Sequence, residues 1–237
     1  MTVANEEQDS HSTLHTSHSG PEAQEQKPEP KPRPTGPAIV VGLGNPGPEY
    51  VWTPHNAGFL AIDRIAQQQG ITVQNRRCKA LTGTSRTGNR EVLLAKPETF
   101  MNLSGLSVAA LLKEFQIAPE DRGNSLVVIY DELDLPLGTI KIKERGSPAG
   151  HNGARSISGS LGSHEWLRIR IGVGQDLPAE AVAAGAKRKG GQDYLLSSMR
   201  KADLAVLDEV LDRVATAVRR IVEEGPAAAM NEFNRKV

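Results

Sequence analysis

The chain has 237 residues, with 28 basic and 28 acidic side chains and a single cysteine, Cys78. One cysteine excludes a disulfide framework or a thiolate metal cage, and no apolar run reaches the length of a membrane span. The balanced charge permits nucleic-acid binding without arguing for it, because a true footprint needs clustered basic residues.

Residues 1–36, nearly free of large apolar side chains and ending in a proline-rich stretch, read as a disordered tail. The tail has no apolar signal-peptide core and is too acidic for an organelle transit sequence, so the expected setting is soluble and cytoplasmic. It carries six acidic and three basic residues, leaving 25 basic against 22 acidic in residues 37–237. That remainder is mildly basic and long enough for one substantial core.

The run AIVVGL (38–43) is apolar and β-branched, as a buried strand requires. Pro46, Pro48 and Pro54 keep the following stretch out of a helix. From Asn56 onward Ala57, Leu60, Ile62, Ile65 and Ala66 predict a helix that Gly70 ends. EVLLA (91–95) predicts a second strand leading into the loop FMNLSG, after which Ser104 is expected to cap a helix carrying Val108, Leu111, Leu112 and Phe115. LVVIY (126–130) is the strongest strand and delivers Asp131, Glu132 and Asp134 at its end. TIKIK (139–143) and LRIRIGV (167–173) alternate, with a short helix after HNG between them. Leu204, Leu207, Val210, Leu211, Val214, Val218 and Ile221 predict a long amphipathic helix. Strands alternating with helices indicate a single α/β domain with a central sheet flanked by helices.

Three asparagines lie in glycine-flanked loops: Asn45 in GLGNPG, Asn102 in FMNLSG and Asn152 in AGHNG. Glycine lets backbone approach a ligand closely, and an amide side chain both donates and accepts hydrogen bonds. His55 and His151 belong to the same loops, which together suit a small hydrolase site. GLGNPG matches the dinucleotide-binding fingerprint, but that function needs a helix opening inside the motif, which the prolines forbid. A catalytic histidine needs a carboxylate that fixes its tautomer. Asp131, first off a buried strand, is assigned to His55, whereas Glu132 and Asp134 read as part of a turn and only secondarily as metal ligands. Asn152-Gly153 taken alone is also consistent with a tight turn. Lys141, Lys143, Arg145, Arg168 and Arg170 form a basic group on alternating strands, either a solvated sheet face or a phosphate clamp.

The blocks VVGLGNPGPEYVWTPHNAGF, KPETFMNLSG, DELDLPLGTIKIK and GSPAGHNG, in this order and spacing, resemble the bacterial-type peptidyl-tRNA hydrolases from about Ile39 to the last helix. The resemblance implies a single mixed-sheet α/β domain that cleaves the ester between a peptide and tRNA. It implies His55 as general base, Asp131 as its supporting carboxylate, and Asn45 as a residue that distinguishes blocked from free aminoacyl-tRNA. Asn102 and Asn152 match substrate-binding asparagines, Tyr50, Phe100 and Met101 match the groove lining, and Lys143 with Arg170 matches a clamp for the tRNA 5′-phosphate. No cofactor or metal is implied, the partner is peptidyl-tRNA, and a monomer is expected. This chain departs from the family in reading Ser147-Pro148-Ala149 where the family loop is richer in glycine, and in the stretch 175–194, from which no lid residue is assigned. A non-catalytic RNA-binding relative on the same fold and a nucleotide-cofactor enzyme are the alternatives.

Overall fold

Ala38–Gly42 forms β1, and every residue of it is buried, as expected of a strand covered on both faces. In this computed structural model, which describes residues 36–175 and 191–235, β1 lies at the centre of a seven-stranded sheet. The other strands are β2 (Asn75–Arg77), β3 (Ala80–Thr87), β4 (Arg90–Pro97), β5 (Leu126–Pro136), β6 (Ile140–Lys143) and β7 (Leu167–Gly174). Their order is β2-β3-β4-β1-β5-β7-β6. Strands β4, β1, β5 and β7 run parallel, while β2 and β3 on one side and β6 on the other pair antiparallel. The sheet is therefore mixed, as the family resemblance implies.

The helices among the described residues are α1 (Ala57–Gln68), α2 (Ser104–Glu114), α3 (Arg122–Ser125), α4 (Asn152–Leu161), α5 (Gly191–Leu195), α6 (Lys201–Glu224) and α7 (Pro226–Phe233). Successive strand residues point to opposite faces, and this divides the core in two. Val40, Leu94, Ile129 and Ile169 pack with Ile62 and Ile65 of α1 and Val214 and Val218 of α6. Ile39, Val41, Leu93, Val128 and Tyr130 pack on the opposite face with Val108 and Leu111 of α2 and Ile157 of α4. Burying each of these large aliphatic side chains contributes about 1.5–3 kcal/mol.

The first glycine of GLGNPG serves packing. A Cβ on Gly42 would lie 2.1 Å from the Gly58 carbonyl oxygen, and one on Gly58 would lie 2.4 Å from that of Ile129. Helix α1 thus crosses the ends of β1 and β5 at a distance only glycine permits, and it opens at Ala57, beyond the prolines.

Two local expectations need correction. Ser104 does not cap α2; it is the first helical residue, and its hydroxyl donates to the Met101 carbonyl at 2.9 Å. Glu132 and Asp134 are not part of a turn but of β5, which continues through Pro136 with a register shift between Glu132 and Pro136; the turn comes after them, at Leu137 and Gly138. The alternative of a tight turn at Asn152-Gly153 falls, since the pair opens α4, the short helix expected after HNG. Strands β2 and β3 were not expected, since Asn75–Arg77 is fully exposed and β3 is rich in Thr, Ser and Arg.

The edge strand β6 is closed by a side chain. Asn234, just after α7, donates through Nδ2 to the Ile142 carbonyl at 2.9 Å and accepts the Ile142 N–H through Oδ1 at 2.8 Å. No helix among the described residues is long and apolar enough to cross a membrane. The expected disordered tail, 1–36, lies outside the described residues apart from Gly36.

Candidate active site

The carboxyl ends of β1 and β5 open onto a cavity of about 770 Å³, the place where α/β sheets present their sites. Asn45, His55, Phe100, Met101, Asn102, Asp131 and Asn152 all line it. Three further expected residues, Tyr50, Lys143 and Arg170, lie outside the lining.

Asn45 follows β1 and locks two loops together. Its backbone N–H donates to Asn56 Oδ1 at 2.8 Å, Asn56 Nδ2 returns a bond to the Asn45 carbonyl at 3.1 Å, and Asn45 Oδ1 accepts the Met101 N–H at 3.0 Å. The Asn45 acceptor is thereby occupied, and its amide N–H₂ remains for the cavity. Asn56 is buried next to His55, so the same bonds fix the short 3₁₀ turn Pro54–Asn56 that carries the imidazole.

His55 is buried and its Nδ1 lies 2.8 Å from Asp131 Oδ1. His151 reaches the same oxygen, with Nε2 at 3.0 Å. Burial alone would raise the Asp131 pKa; the two imidazoles, His151 first and His55 next, outweigh it and hold the carboxyl well below the usual carboxylate range. An ionised carboxylate only accepts, so both imidazole nitrogens facing it must carry protons. The free lone pair of His55 is then on Nε2, the position a general base needs.

His151 is also the N-cap of α4, where its Nδ1 accepts the Ala154 N–H at 3.1 Å. The stretch before it folds as a turn in which His151 N–H donates to the Pro148 carbonyl at 3.0 Å. Within that turn Ala149 holds φ +48° and Gly150 φ +81°, so a non-glycine residue occupies left-handed backbone at the loop where this chain departs from the family pattern. Gly153 is required by space, since a Cβ there would meet Met101 Sδ at 2.6 Å.

One atom each of His55, Asp131 and His151 lie within 4.8 Å of one another, a spacing that a metal ion can bridge. The hydrogen bonds suit protons better. A neutral histidine bound to a metal through Nε2 carries its proton on Nδ1, but Nδ1 of His151 faces the Ala154 N–H and must stay an acceptor.

The remaining lining residues give the cavity its two characters. Phe100 is 64% exposed, and Leu133 with Leu195 and Leu196 of and after α5 completes an apolar wall. Asn102 and Asn152 supply amides, and the Asn152 carbonyl is engaged by the Arg155 guanidinium.

The basic strands divide in a way the alternation did not reveal. Lys141, Lys143, Arg168 and Arg170 share one face through the β6–β7 register. Arg168 is 1% exposed, corrected from a solvated position: it stacks 3.7 Å over the Trp166 ring and donates to the carbonyls of Gly146, Ser147 and His164. Arg170 is paired with buried Glu132, leaving Lys143 as the exposed cation of the expected clamp. Tyr50 ends a 3₁₀ turn, and its carbonyl accepts from the Thr53 hydroxyl at 2.8 Å.

Sequence reasoning missed the bond from His151 to Asp131 and the pairing of Glu132 with Arg170. The GHNG block contained the first signal, a histidine where a helix N-cap is required. The second had none, because the partners are joined only by the β5–β7 register.

The family model for peptidyl-tRNA hydrolase matches residues 39–237. A peptidyl-tRNA hydrolase of Acidobacterium capsulatum is 56% identical over 198 residues, covering 84% of this chain and 96% of its own. One of Koribacter versatilis is 52% identical, covering 84% and 92%. The crystal structure of peptidyl-tRNA hydrolase from Acinetobacter baumannii superposes with a TM-score of 0.71 at 33% identity, over 84% of this chain and 95% of that one. Sequence and fold agree, and the chain belongs to the peptidyl-tRNA hydrolase family.

Proposed function

We propose that this chain hydrolyses the ester joining a peptide to tRNA, with His55 as the general base and water as the nucleophile. The observation that carries the reading is the His55 Nδ1–Asp131 Oδ1 bond, which leaves a basic Nε2 on a ring that lines the cavity. His55 takes a proton from water as the water attacks the ester carbonyl, buried Asp131 supports the imidazolium that forms, and that proton passes to the departing ribose oxygen as the ester C–O bond breaks. Asn102 N–H₂ donates to the developing oxyanion, and the apolar wall of Phe100, Leu195 and Leu196 receives the peptide side chains. Base assistance of this kind contributes roughly 10² to 10⁴ in rate. An ester is reactive enough that neither a covalent nucleophile nor a metal is needed.

Asn45 gives the discrimination between blocked and free substrates. Its oxygen is turned toward the Met101 N–H, which leaves its N–H₂ as the group to meet a substrate. An N-blocked substrate offers a carbonyl acceptor there, whereas a free ammonium offers donors that meet donors. Asn152 and Tyr50 are assigned to the terminal nucleotide and groove, and Lys143 with Arg170 to the 5′-phosphate. The protein acts as a monomer in the cytoplasm on this reading.

Release of N-acetyl-amino acid from N-acetyl-aminoacyl-tRNA in EDTA, by wild type and His55→Ala, tests the proposal. Cleavage by wild type that is lost in the variant while tRNA binding persists is the expected result. Loss of binding together with activity refutes the assigned role. A well-folded wild type without cleavage points instead to a non-catalytic RNA-binding relative.

A further inference from the structure

Two imidazoles donate to one oxygen of Asp131, and nothing in the assignment of His55 as base explains the second. Both ring nitrogens of His151 are engaged, and the ring also lines the cavity. Its Nε2 lies 3.0 Å from Asp131 Oδ1, its Nδ1 accepts the Ala154 N–H at 3.1 Å, and its ring lies 4.6 Å from the Tyr130 ring, centroid to centroid. The His55 ring is 5.0 Å away on the other flank. The ring therefore cannot turn without losing two hydrogen bonds and an aromatic contact.

From this we infer that His151 is a positioning residue that fixes the Asp131 carboxylate for His55 and removes itself as a competing base. The inference rests on the reading of His55 given above. Asp131 Oδ1 sits between two donors, so the carboxylate cannot rotate away from His55 while His151 holds it. A second histidine beside the same carboxylate would ordinarily be a second place for the proton from water. Here the Ala154 N–H fills the Nδ1 acceptor, and Nε2 already bears a proton. The helix N-terminus thus assigns the two rings to different tasks: His151 donates and His55 accepts. The same bond ties the geometry of the base to the first turn of α4, which begins at Asn152.

The two duties of His151 are separable by substitution. Asparagine is among the preferred N-cap residues and can accept the Ala154 N–H, but its side chain is too short to reach Asp131 as well. His151→Asn therefore keeps the cap and loses the carboxylate contact, whereas His151→Ala loses both. With N-acetyl-aminoacyl-tRNA as substrate, His151→Asn is expected to keep a Tm close to wild type and a KM within about twofold. Its kcat falls about tenfold or more, the scale of one hydrogen bond to a charged group. The downfield NMR signal of the His55 Nδ1 proton shifts or broadens as the carboxylate loosens. His151→Ala shows the same fall in kcat together with a lower Tm.

Wild-type kcat and an unchanged His55 proton signal in His151→Asn would reduce His151 to a helix cap and overturn the inference. A raised KM at unchanged kcat would also overturn it, by making His151 a substrate contact. His55→Ala separates this failure from that of the general-base reading: an inactive His55→Ala beside a normal His151→Asn sinks only the role of His151, while an active His55→Ala sinks the general-base reading.

Discussion

The Asn45 side-chain carbonyl accepts the Met101 backbone N–H at 3.0 Å, joining two loops 56 residues apart in the chain. The bond orients the Asn45 amide with its oxygen toward Met101 and its N–H₂ free for a ligand. Asn45→Asp is isosteric and can still accept from Met101, but it offers the cavity a carboxylate. Cleavage of N-acetyl-aminoacyl-tRNA should fall by about 10- to 100-fold as a buried donor is lost, and the preference over free aminoacyl-tRNA should narrow. Unchanged selectivity in paired kcat/KM measurements would remove Asn45 from the discrimination.

Lys143 and Arg170 should behave differently despite sharing a strand face. Lys143 is exposed, so Lys143→Ala should weaken tRNA binding and lower the slope of log K against log salt by about one unit, with Tm unchanged. Arg170→Ala strands the buried Glu132 carboxylate and should also cost about 3 kcal/mol of stability. The double variant Arg170→Met with Glu132→Gln should recover much of that loss in urea unfolding. Equal stability of all three chains would show that the pair is not coupled.

Ala149 holds a left-handed backbone at φ +48°, where Cβ is disfavoured by about 1 kcal/mol. Ala149→Gly relieves that strain but frees the unfolded chain, so a modest gain in Tm is expected. A fall in Tm would mean that the stiffness lent by Pro148 and Ala149 contributes more than their strain costs.

Asp131 stays ionised far into acid because its folded pKa is depressed. Its stabilising contribution is full above the unfolded value of about 3.9 and is lost as pH falls from there toward the folded value. The urea midpoint of wild type relative to Asp131→Asn should therefore shrink below about pH 4. A difference that stays constant from about pH 5 down to pH 2 would contradict the assignment.

Burial pushes the Cys78 thiol up to about 11, aided by its hydrogen bond to Glu114 at 2.9 Å. Alkylation by iodoacetamide at pH 8 should run roughly a hundredfold slower than for a free thiol, two pKa units being a hundredfold in thiolate. Glu114→Gln should speed it. Rapid labelling of the folded wild type would contradict the assignment.

How far the sequence could be read depended on what each signal encodes. The apolar runs 38–43 and 126–130 and the stripe from Leu204 to Ile221 became β1, the buried half of β5 and α6, because burial on a fixed period is a local property. Polar β3 gave no such signal; its place is set by pairing along the whole of β4. The loops that bring Asn45, His55, Asn102 and Asn152 together were visible as glycine-flanked asparagines. Their bonds were not, since Asn45 to Met101 and His151 to Asp131 depend on which strands are neighbours. Arg168 looked solvated for the same reason: alternation fixes its face, and only Trp166 and the 146–147 carbonyls show that the face is covered.

Asn234 meets both polar groups of Ile142, so its amide behaves as one residue of an eighth strand. A sheet border left bare is a template on which another chain can zip. By satisfying Ile142 from within, the polypeptide interrupts the row of free groups that a neighbour would need, and it does so with a side chain that cannot propagate the ladder. The fold thus carries its own terminator against self-association along β6.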